Sequence, residues 1–518
     1  MTSSTQVKSN KNTGENAGAN FGAKSDASSS ESPSERANEL QSQAAGENID
    51  GVQKNSPSSS SKSTHAPASP SGTSHVAHDK NSKSKLQAVR GTRDLLFDEC
   101  VKFRQIESTA RQISKLYGFD EIETPMFESS AIFKRSLGDT SDIVTKEMYC
   151  FQDLGGDELV LRPEGTAGVA RACISEGLTQ HLPLKLFYTG PMFRYERPQK
   201  GRYRQFYQVG VELLGVEKPQ ADVELIGLAW QILKSLNLQG ELVLHLNTIG
   251  DIESRNAYRE KLVTYLSART AELSLESRGR LERNPLRILD SKDIGDQLVL
   301  KDAPTLDQSL NEKSRSFFQG VVGGLELLGI PYKIDPLLVR GLDYYCHTVF
   351  EFTTNALGAQ NAVLAGGRYD NLISDLGGPQ TPGVGWAAGI DRLALMTQIP
   401  QKTLRPVSLI PIGERAETHA LQLAQTLREA GVACDLGFSG NMGKRMKRAN
   451  KLESRFALIM GEDEIDRQVI QLKDLDEGFQ QEVSIISLSA TLQSLESKAG
   501  SDPGSSANIR KGPQSEAK

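Results

Sequence analysis

The sequence predicts an α+β protein in which an antiparallel sheet is followed by a small α/β domain, with a disordered tail at each end. Helix and strand patterns are mixed through the centre of the chain, and strand and helix alternate regularly near its end. Strands joined by hairpins and long segments favour an antiparallel sheet, whereas β–α–β alternation favours a mostly parallel one. Both ends of the chain are rich in Ser and have few large apolar residues.

Composition limits the possible classes of function. The chain has 518 residues, enough for about three domains, and a formal net charge of −5. An acidic chain does not hold nucleic acid by bulk positive charge, so such binding needs a local basic patch. No stretch approaches the ~18 consecutive apolar residues of a membrane-spanning helix. The five cysteines have no Cys-x-x-Cys spacing, which argues against a disulfide framework or structural zinc and favours a reducing compartment.

Both ends of the chain are predicted not to fold. Residues 1–86 form a Ser-rich tail, and residues 491–518 share its composition. Segments with so few large apolar residues bury too little surface to offset the entropy lost on ordering the chain. The first tail lacks the apolar stretch of a secretory signal, and its rare Arg and frequent acids are atypical of a transit peptide.

The region from residue 87 to residue 403 mixes helix and strand patterns. Apolar residues at helical spacing predict a helix over residues 101–117, and the alternation that follows predicts a strand over residues 119–123. Further short strands are predicted at residues 159–161, 184–188, 206–214, 242–247, 349–352 and 361–364. Residues 251–332 are predicted to be mostly helical.

A second folded region is predicted over residues 404–490, after a joint that contains Pro406. Strands are predicted at residues 407–412, 432–436 and 456–460, and helices at residues 416–430 and 442–451. This alternation predicts a separate small α/β domain with a mostly parallel sheet.

Signatures of several common enzyme classes are absent from the sequence. It contains no Gly-x-x-x-x-Gly-Lys phosphate loop, no strand-linked Gly-x-Gly-x-x-Gly and no Gly-x-Ser-x-Gly elbow. Three of the seven His lie in the N-terminal tail, and the other four are far apart without metal-ligand spacing. Nucleophilic hydrolases and metallohydrolases are therefore disfavoured.

The densest chemical pattern is a strand, a basic loop and a returning strand over residues 190–212. Because side chains alternate along a strand, one face of this hairpin is predicted to gather polar and aromatic groups. These are Arg194 and Glu196 on the outgoing strand, and Phe206, Gln208, Gly210 and Glu212 on the returning strand. Arg matches phosphate or carboxylate and an aromatic ring can stack on a base, so the face predicts a polar ligand. A charged, solvated hairpin is the alternative.

This hairpin resembles motif 2 of class II aminoacyl-tRNA synthetases, and specifically that of the histidyl-tRNA synthetase family. Four other segments resemble motifs of the same family: LRPEGT at residues 161–166, RGLDYY at 340–345, AGGRYD at 365–370 and GVGWAAGIDRL at 383–393. The helix and strand before Pro125 are similar to motif 1, which implies a homodimer. The resemblance spans about residues 87–487. Asp391 stands where bacterial members often have Glu, so it is assigned no role.

The resemblance implies a class II antiparallel-sheet catalytic domain over residues 87–403, with a helical insertion at about residues 251–332 near the tRNA acceptor arm. Residues 404–490 would form the anticodon-binding domain. An enzyme of this family joins L-histidine and ATP, with Mg²⁺, into histidyl-adenylate and diphosphate, and then transfers the histidyl group to the 3′ end of tRNA(His). It would work as a cytoplasmic homodimer without a membrane.

The resemblance also implies roles for individual residues. Histidine would be held by Glu164, Gly165, Thr166, Arg194, Gln208, Glu212, Arg340, Tyr344 and Tyr345. Among these, Glu212 and Tyr345 would contact the imidazole, and Arg194 and Arg340 would be the catalytic cations. ATP would be held by Arg194, Glu196, Arg202, Phe206 and Arg392. The tRNA phosphates would meet Lys444, Arg445, Lys447, Arg448 and Lys451. No protein ligand of a metal is assigned.

Other interpretations stay open at this stage. Arg340 could form a structural ion pair, Tyr344, Tyr345 and Tyr369 could be core aromatics, and the basic stretch could be a solvated helix face. Two other classes of protein share parts of the pattern: a histidine-responsive regulatory subunit of ATP phosphoribosyltransferase, and a tRNA-sensing module attached to a regulatory kinase. The first is expected to lack the terminal domain and parts of the arginine set, and the second needs a kinase signature that this sequence lacks.

Overall fold

The structure is a computed structural model that describes residues 86–138, 141–358, 362–398 and 405–500. Residues 1–85 of the predicted N-terminal tail and residues 501–518 of the predicted C-terminal tail lie outside the described residues. Within the described ranges, no helix is both long enough and apolar enough to cross a lipid bilayer.

Helices and strands are mixed in the region up to residue 398, as the sequence predicts. The strands are β1 (Asp120–Glu121), β2 (Phe127–Ser129), β3 (Tyr149–Gln152), β4 (Glu158–Leu161), β5 (Leu184–Phe193), β6 (Gln205–Leu214), β7 (Val243–Thr248), β8 (Lys333–Ile334), β9 (Cys346–Thr353), β10 (Ala362–Arg368) and β11 (Gly383–Gly389). The helices are α1 (Asp98–Leu116), α2 (Ser130–Leu137), α3 (Thr166–Ser175), α4 (Pro219–Ser235), α5 (Ile252–Ser267), α6 (Leu275–Arg283), α7 (Ile294–Leu300), α8 (Glu312–Leu327), α9 (Leu372–Asp375) and α10 (Ile390–Met396).

An eight-stranded sheet organises this region, in the order β1-β5-β6-β11-β10-β9-β7-β8. Neighbouring strands are antiparallel except for β1 beside β5 and β7 beside β8, which are parallel pairs at the two edges. The predicted antiparallel sheet is therefore confirmed. Strands β2, β4 and β3 form a separate, smaller antiparallel sheet.

The alternation of side chains along β6 separates an apolar core from a polar surface. Val209 and Val211 are buried in a core that also contains residues of α1, α4 and α8. Because successive side chains of a strand point to opposite faces, Phe206, Gln208 and Glu212 turn to the other side of the sheet. Helices α1, α4 and α8 therefore cover one face, and the polar residues of the hairpin lie on the other.

A buried ion pair fixes the end of β10 against α4. Arg368 and Asp222 are both fully buried, and Arg368 Nε lies 3.1 Å from Asp222 Oδ2. The same guanidinium donates to the carbonyl oxygens of Val216 at 3.0 Å and Lys218 at 3.4 Å. A buried charge is stable only with such partners, so these contacts set where the next residue, Tyr369, leaves the strand.

Residues 251–332, called the insertion below, are largely helical, as predicted, and contain α5 to α8. Asp296 holds the middle of the insertion together. Its buried carboxylate accepts hydrogen bonds from the hydroxyls of Ser274 at 2.8 Å, Ser277 at 2.6 Å and Ser291 at 2.6 Å. These bonds join α6, α7 and the segment between them.

The region from residue 405 to residue 500 has its own sheet and core. Its strands are β12 (Val407–Pro411), β13 (Cys434–Leu436), β14 (Phe456–Met460), β15 (Val469–Asp474) and β16 (Gln480–Ser484). Its helices are α11 (Glu414–Glu429), α12 (Met442–Lys451), α13 (Glu462–Asp466) and α14 (Leu488–Gly500). Strands β13, β12 and β14 are parallel, as predicted, but β15 and β16 extend the sheet as an antiparallel hairpin that the sequence analysis did not include.

The predicted start of the disordered C-terminal tail at residue 491 is wrong, because α14 continues to Gly500. Leu488 and Leu492 lie one helical turn apart and are buried in the core of this region, and Leu495 packs against it. An apolar stripe at this spacing anchors a helix even where Ser and Gly are frequent.

Candidate active site

A cavity of about 230 Å³ lies on the polar face of the large sheet. Most of the predicted site residues line it: Glu164, Thr166, Arg194, Glu196, Arg202, Phe206, Gln208, Arg340, Tyr344, Tyr345 and Arg392. These residues are far apart in sequence, and the strand order β5-β6-β11-β10-β9 brings their segments together. Gly165 and Glu212 are the two predicted histidine-binding residues that do not line the cavity.

Glu164 stands just before α3, and the start of that helix orients it. Its carboxylate accepts hydrogen bonds from the backbone N–H groups of Thr166 at 2.7 Å and Ala167 at 2.8 Å. Burial raises the pKa of Glu164, although these N–H groups favour its ionised form. Gly165 provides space, because a Cβ at this position would lie 2.2 Å from the ring of Tyr188. The turn therefore places Glu164 at the cavity while Tyr188 packs closely against it.

Glu212 lies behind the cavity wall, and only 1% of it is exposed. Its Oε1 accepts a hydrogen bond from Thr166 Oγ1 at 2.7 Å, and its Oε2 accepts one from the hydroxyl of Tyr369. Burial raises the pKa of Glu212 from 4.5 to about 8, although both hydroxyls act in the opposite direction. The carboxyl predicted to contact an imidazole is thus a buried group that two hydroxyls orient.

Three tyrosine rings pack together next to the cavity. Tyr344 and Tyr345 have ring centroids 4.6 Å apart, and Tyr369 meets Tyr344 edge-on at 5.6 Å. Burial raises the pKa of all three hydroxyls. Tyr344 and Tyr345 are therefore buried aromatics that also line the cavity, whereas Tyr369 does not line it and donates a hydrogen bond to Glu212.

Four guanidinium groups line the cavity, those of Arg194, Arg202, Arg340 and Arg392. Burial and the neighbouring Arg202 both lower the pKa of Arg392, so the charges in this cluster repel one another. Guanidinium groups that converge in a partly buried space are matched best by phosphate or carboxylate oxygens. The electrostatics of the cavity therefore favour an anionic ligand.

Each of these guanidinium groups also has a partner within the protein. Arg194 Nε donates to Pro163 O at 2.9 Å, Arg392 Nε donates to Gly201 O at 3.3 Å, Arg202 pairs with Glu196, and Arg340 Nη1 lies 3.2 Å from Glu351 Oε2. The contact with Glu351 is the structural ion pair that was the alternative interpretation of Arg340. Arg340 still lines the cavity, so its role toward a ligand stays a prediction beside the observed ion pair.

The hairpin differs from its prediction in one respect. Strand β5 ends at Phe193, so Arg194 and Glu196 lie in the loop that follows and not on the outgoing strand. The Arg194 N–H still donates to Arg204 O at 2.9 Å, which keeps the two sides of the loop paired. Both side chains reach the cavity from this loop, and the Arg194 guanidinium lies 5.4 Å from the centre of the Phe206 ring.

The sequence analysis missed Arg93, which lies under the cavity floor. Arg93 Nη2 is 2.9 Å from Asp391 Oδ1, and the backbone N–H of Tyr207 donates to Asp391 Oδ2 at 2.8 Å. Asp391 therefore joins α10 to β6 through one oxygen and to the segment before α1 through the other. Arg93 and Asp391 are 298 positions apart, and no local pattern connects them. Tyr369, in contrast, lies in a segment that the resemblance had already singled out.

The structure separates the cations of α12 into two groups. The exposed lysines are Lys444, Lys447 and Lys451. Arg445 is buried, donates to Pro411 O and pairs with Glu417, so its predicted availability to tRNA phosphates is contradicted. Arg448 is exposed, but both of its hydrogen bonds to Asp435 measure 2.8 Å. The three lysines are therefore the cations of this helix that are available to a binding partner.

Comparison with known proteins agrees with this geometry. Residues 91–393 match the family model described as Histidyl-tRNA synthetase. The chain belongs to the histidyl-tRNA synthetase family. Residues 406–495 match a second model, described as Anticodon binding domain, which the regulatory-subunit alternative is expected to lack. The family resemblance and the fold predicted from it are therefore confirmed.

Individual relatives support the assignment to the histidyl-tRNA synthetases. The chain is 58% identical to the histidine–tRNA ligase of Rhodospirillum rubrum over 401 residues, which are 77% of this chain and 97% of the relative. It is 50% identical to that of Synechococcus elongatus over 404 residues, covering 77% and 92% of the two chains. The solved structure of apo histidyl-tRNA synthetase from S. aureus matches with a TM-score of 0.67 at 33% identity, covering 78% of this chain and 99% of that one.

The raised pKa of Glu212 predicts how stability changes with pH. Between pH 4.5 and about pH 8 the folded chain keeps the Glu212 proton that the unfolded chain releases, so the free energy of unfolding falls as pH rises, by at most about 1.4 kcal/mol per pH unit. Glu212→Gln has no such proton, so its stability relative to the parent protein should rise across this range.

Urea unfolding of both proteins at pH 5.5, 7 and 8.5, followed by tryptophan fluorescence, measures this difference. Glu260→Gln, on an exposed position of α5, is the control for removing one carboxyl. Parallel pH profiles for Glu212→Gln and the parent protein would contradict the prediction.

Proposed function

We propose that this chain activates L-histidine with ATP to form histidyl-adenylate and diphosphate, and then transfers the histidyl group to the 3′ end of tRNA(His). The observation that supports this most directly is one cavity in which four guanidinium groups stand beside Glu164, Gln208 and Tyr345. Relatives at 50–58% identity that carry the name histidine–tRNA ligase support the same reaction. All five cysteines are free, which suits the reducing cytoplasm as the place of this reaction.

In the first step an oxygen of the histidine carboxylate attacks the α-phosphorus of ATP. The new P–O bond forms as the bond to the bridging oxygen breaks, and diphosphate leaves with the electron pair. Two anions must approach each other, so the barrier depends on the cations placed around the phosphorus. We assign this role to Arg194 and Arg340, which line the same cavity from different elements.

ATP would occupy the part of the cavity lined by the hairpin loop and α10. Phe206 would stack on the adenine ring and Glu196 would accept a hydrogen bond from its amino group, while Arg202 and Arg392 would contact the outer phosphates. Glu196 and Arg202 pair with each other in the structure. Binding ATP in this way exchanges one ion pair for a contact of each partner with the nucleotide.

Histidine would lie between the start of α3 and the tyrosines. Glu164, Thr166 and Gln208 would hold the α-amino group, and Gln208 Oε1 is a buried acceptor without a partner among the described residues. Tyr345 would donate to one imidazole nitrogen. Glu212 does not line the cavity, so it would accept from the other nitrogen only after histidine displaces one of its two hydroxyl partners. A site built on such bonds rejects amino acids that lack them by roughly 10⁴–10⁵-fold.

Mg²⁺ is proposed as the ion that accompanies ATP. The described residues contain no group of three or more His, Cys, Asp or Glu side chains that could hold a metal ion. Mg²⁺ in nucleotide sites is bound largely by phosphate oxygens and water, with few protein ligands, so this observation and the proposed ATP site are compatible. Its chemistry there is to offset phosphate charge.

In the second step a hydroxyl of the terminal ribose of tRNA attacks the carbonyl carbon of the adenylate, and AMP leaves. The exposed lysines of α12 would contact phosphates elsewhere on the same tRNA. Such contacts position a nucleic acid without reading its sequence.

We also propose that the protein is a homodimer that pairs through the small sheet. Phe127 of β2 and Phe151 of β3 lie on the same face of that sheet and are exposed, and Met126 just before β2 and Leu154 just after β3 are exposed as well. Leu159 and Leu161 of β4 share this face. A contiguous apolar surface of this kind is typical of a protein interface, and the motif 1 segment runs into it.

Sedimentation equilibrium tests the proposed dimer. The parent protein should have twice the mass of one chain, and Phe127→Asp combined with Phe151→Asp should shift it towards the mass of a single chain, because two charges would then be buried at the interface. Leu275→Asp, at a more exposed apolar position on the insertion, should leave the dimer intact. A parent protein with the mass of one chain would contradict the proposal.

Exchange of labelled pyrophosphate into ATP tests the first step. The parent protein should catalyse exchange with histidine and with none of the other nineteen amino acids. Arg340→Ala should lower the rate about 10²–10³-fold, the usual cost of one donor to the transition state, whereas Arg104→Ala, on the exposed side of α1, should have no effect. Exchange by Arg340→Ala at the parent rate would remove Arg340 from the reaction.

Filter binding of tRNA at several salt concentrations tests the role of α12. Replacing Lys444, Lys447 and Lys451 by Ala should weaken binding and flatten its dependence on salt, because fewer counterions are released, while pyrophosphate exchange is unchanged. Replacing Lys115, Lys234 and Lys333, which are exposed elsewhere, is the charge-matched control. Equal tRNA affinity of the α12 variant and the parent protein would end this assignment.

A further inference from the structure

The loop at residues 335–345 carries three of the proposed histidine-site residues without the support of a sheet. It connects β8 to β9 and has no regular strand or helix over its length. Arg340, Tyr344 and Tyr345 reach the cavity from this loop. A strand fixes its side chains through the hydrogen bonds of the ladder, so the conformation of this loop must come from other contacts.

Two hydrogen bonds reach the second half of the loop from the insertion. Arg255 of α5 donates through Nη1 to the carbonyl oxygen of Tyr345 at 2.9 Å. Asn284, directly after α6, donates through Nδ2 to Asp343 Oδ1 at 2.9 Å. All four residues are buried or half-buried, so water competes weakly for these bonds.

A third contact comes from the backbone of the loop itself. Gly341 lies so close to the insertion that a Cβ there would be 2.9 Å from Arg287 Nη1. Burial raises the pKa of Asp343, while Asn284 and the charges of Arg287 and Arg255 favour its ionised form. The insertion therefore covers the outer side of the loop, while Arg340 and Tyr345 occupy its inner side.

We propose that Arg255 and Asn284 are positioning residues of amino-acid activation, which fix the loop so that Arg340 and Tyr345 point into the cavity. The proposal rests on the proposed function of those two residues. Neither Arg255 nor Asn284 lines the cavity at which ATP and histidine are placed, so they act only through the loop. The insertion thus supports the proposed histidine site, although it is a separate segment of the sequence.

Loss of either hydrogen bond should therefore impair the use of histidine more than the binding of ATP. Freeing the loop displaces the Tyr345 hydroxyl from the imidazole and the Arg340 guanidinium from the reacting carboxylate. Misplacement of catalytic groups by about 1 Å costs up to ~10²-fold. ATP is proposed to bind mainly to Glu196, Arg202, Phe206 and Arg392, which belong to other elements, so its KM should change little.

The test measures pyrophosphate exchange with histidine and ATP varied separately, using the full-length protein. Asn284→Ala and Arg255→Met should each lower kcat/KM for histidine by roughly 10–100-fold, with the KM for ATP within about twofold of the parent value. Arg278→Ala is the matched control, because Arg278 is also an insertion arginine that donates to backbone carbonyl oxygens, those of Leu273 and Ala271, and among the described residues it makes no hydrogen bond or ion pair with the loop.

A double variant in which the two side chains change places, called the exchanged pair below, distinguishes a positioning role from a general loss of structure. In the double variant Asn284→Asp with Asp343→Asn, the amide and the carboxylate change places and the hydrogen bond is kept, so histidine activation should recover most of what Asn284→Ala loses. Arg255→Lys, which keeps a donor, should be milder than Arg255→Met. If Asn284→Ala does not fold, the folded exchanged pair decides the question by its histidine kcat/KM.

The outcomes are distinct. A parent protein without histidine-dependent exchange overturns the proposed function itself. Exchange by the parent together with variants that match Arg278→Ala overturns only the positioning role. A KM for ATP that rises as much as the KM for histidine, or an exchanged pair that folds but stays as impaired as Asn284→Ala, also overturns it. A selective loss for histidine that the exchanged pair restores supports it.

Discussion

The structure depends on the alternation of side chains along β6, the strand that faces an apolar core on one side and a charged cavity on the other. Val209 and Val211 anchor the strand among the helices. Their burial fixes the register of the strand, and the register then fixes where Gln208 and Glu212 stand. A slip of one residue would put the polar groups into the core, so the same apolar contacts that stabilise the fold also place the site.

Four guanidinium groups bring positive charge to the cavity, and among the described residues only two of them are paired with carboxylates. Arg194 and Arg392 donate to backbone carbonyl oxygens, which carry partial charges, whereas Arg202 and Arg340 are paired with the carboxylates of Glu196 and Glu351. Phosphate oxygens carry full charges and accept from guanidinium in pairs, so they compete well with carbonyl partners. A polyphosphate can therefore replace several of these contacts at little cost to the protein.

Local patterns in the sequence predicted the parts of the site that depend on neighbours along the chain. The alternation of Phe206 with Gln208 is of this kind, whereas the segment before α3 was identified only through its resemblance to the family. The strand order was not predictable in the same way, because it depends on pairs such as Glu212 beside Gly385, which are distant in sequence. Arg93 was not predicted for the same reason, because its partner Asp391 is distant in sequence. Arg445 could have been recognised as buried, since it lies one helical turn from the buried Ala449.

The elements of the site are supported with unequal strength. Gln208 stands on a central strand and is paired on both sides, and Phe206 on the same strand is paired with β5. Arg340 and Tyr345 stand on an irregular loop, and each hydrogen bond from the insertion contributes only about 0.5–1.5 kcal/mol to its placement. The end of the cavity proposed for histidine is therefore held by weaker contacts than the end proposed for the nucleotide. Its loop takes both of these hydrogen bonds from the insertion, so under the proposed positioning role a movement of α5 or α6 would shift Arg340 and Tyr345 while β6 stays paired.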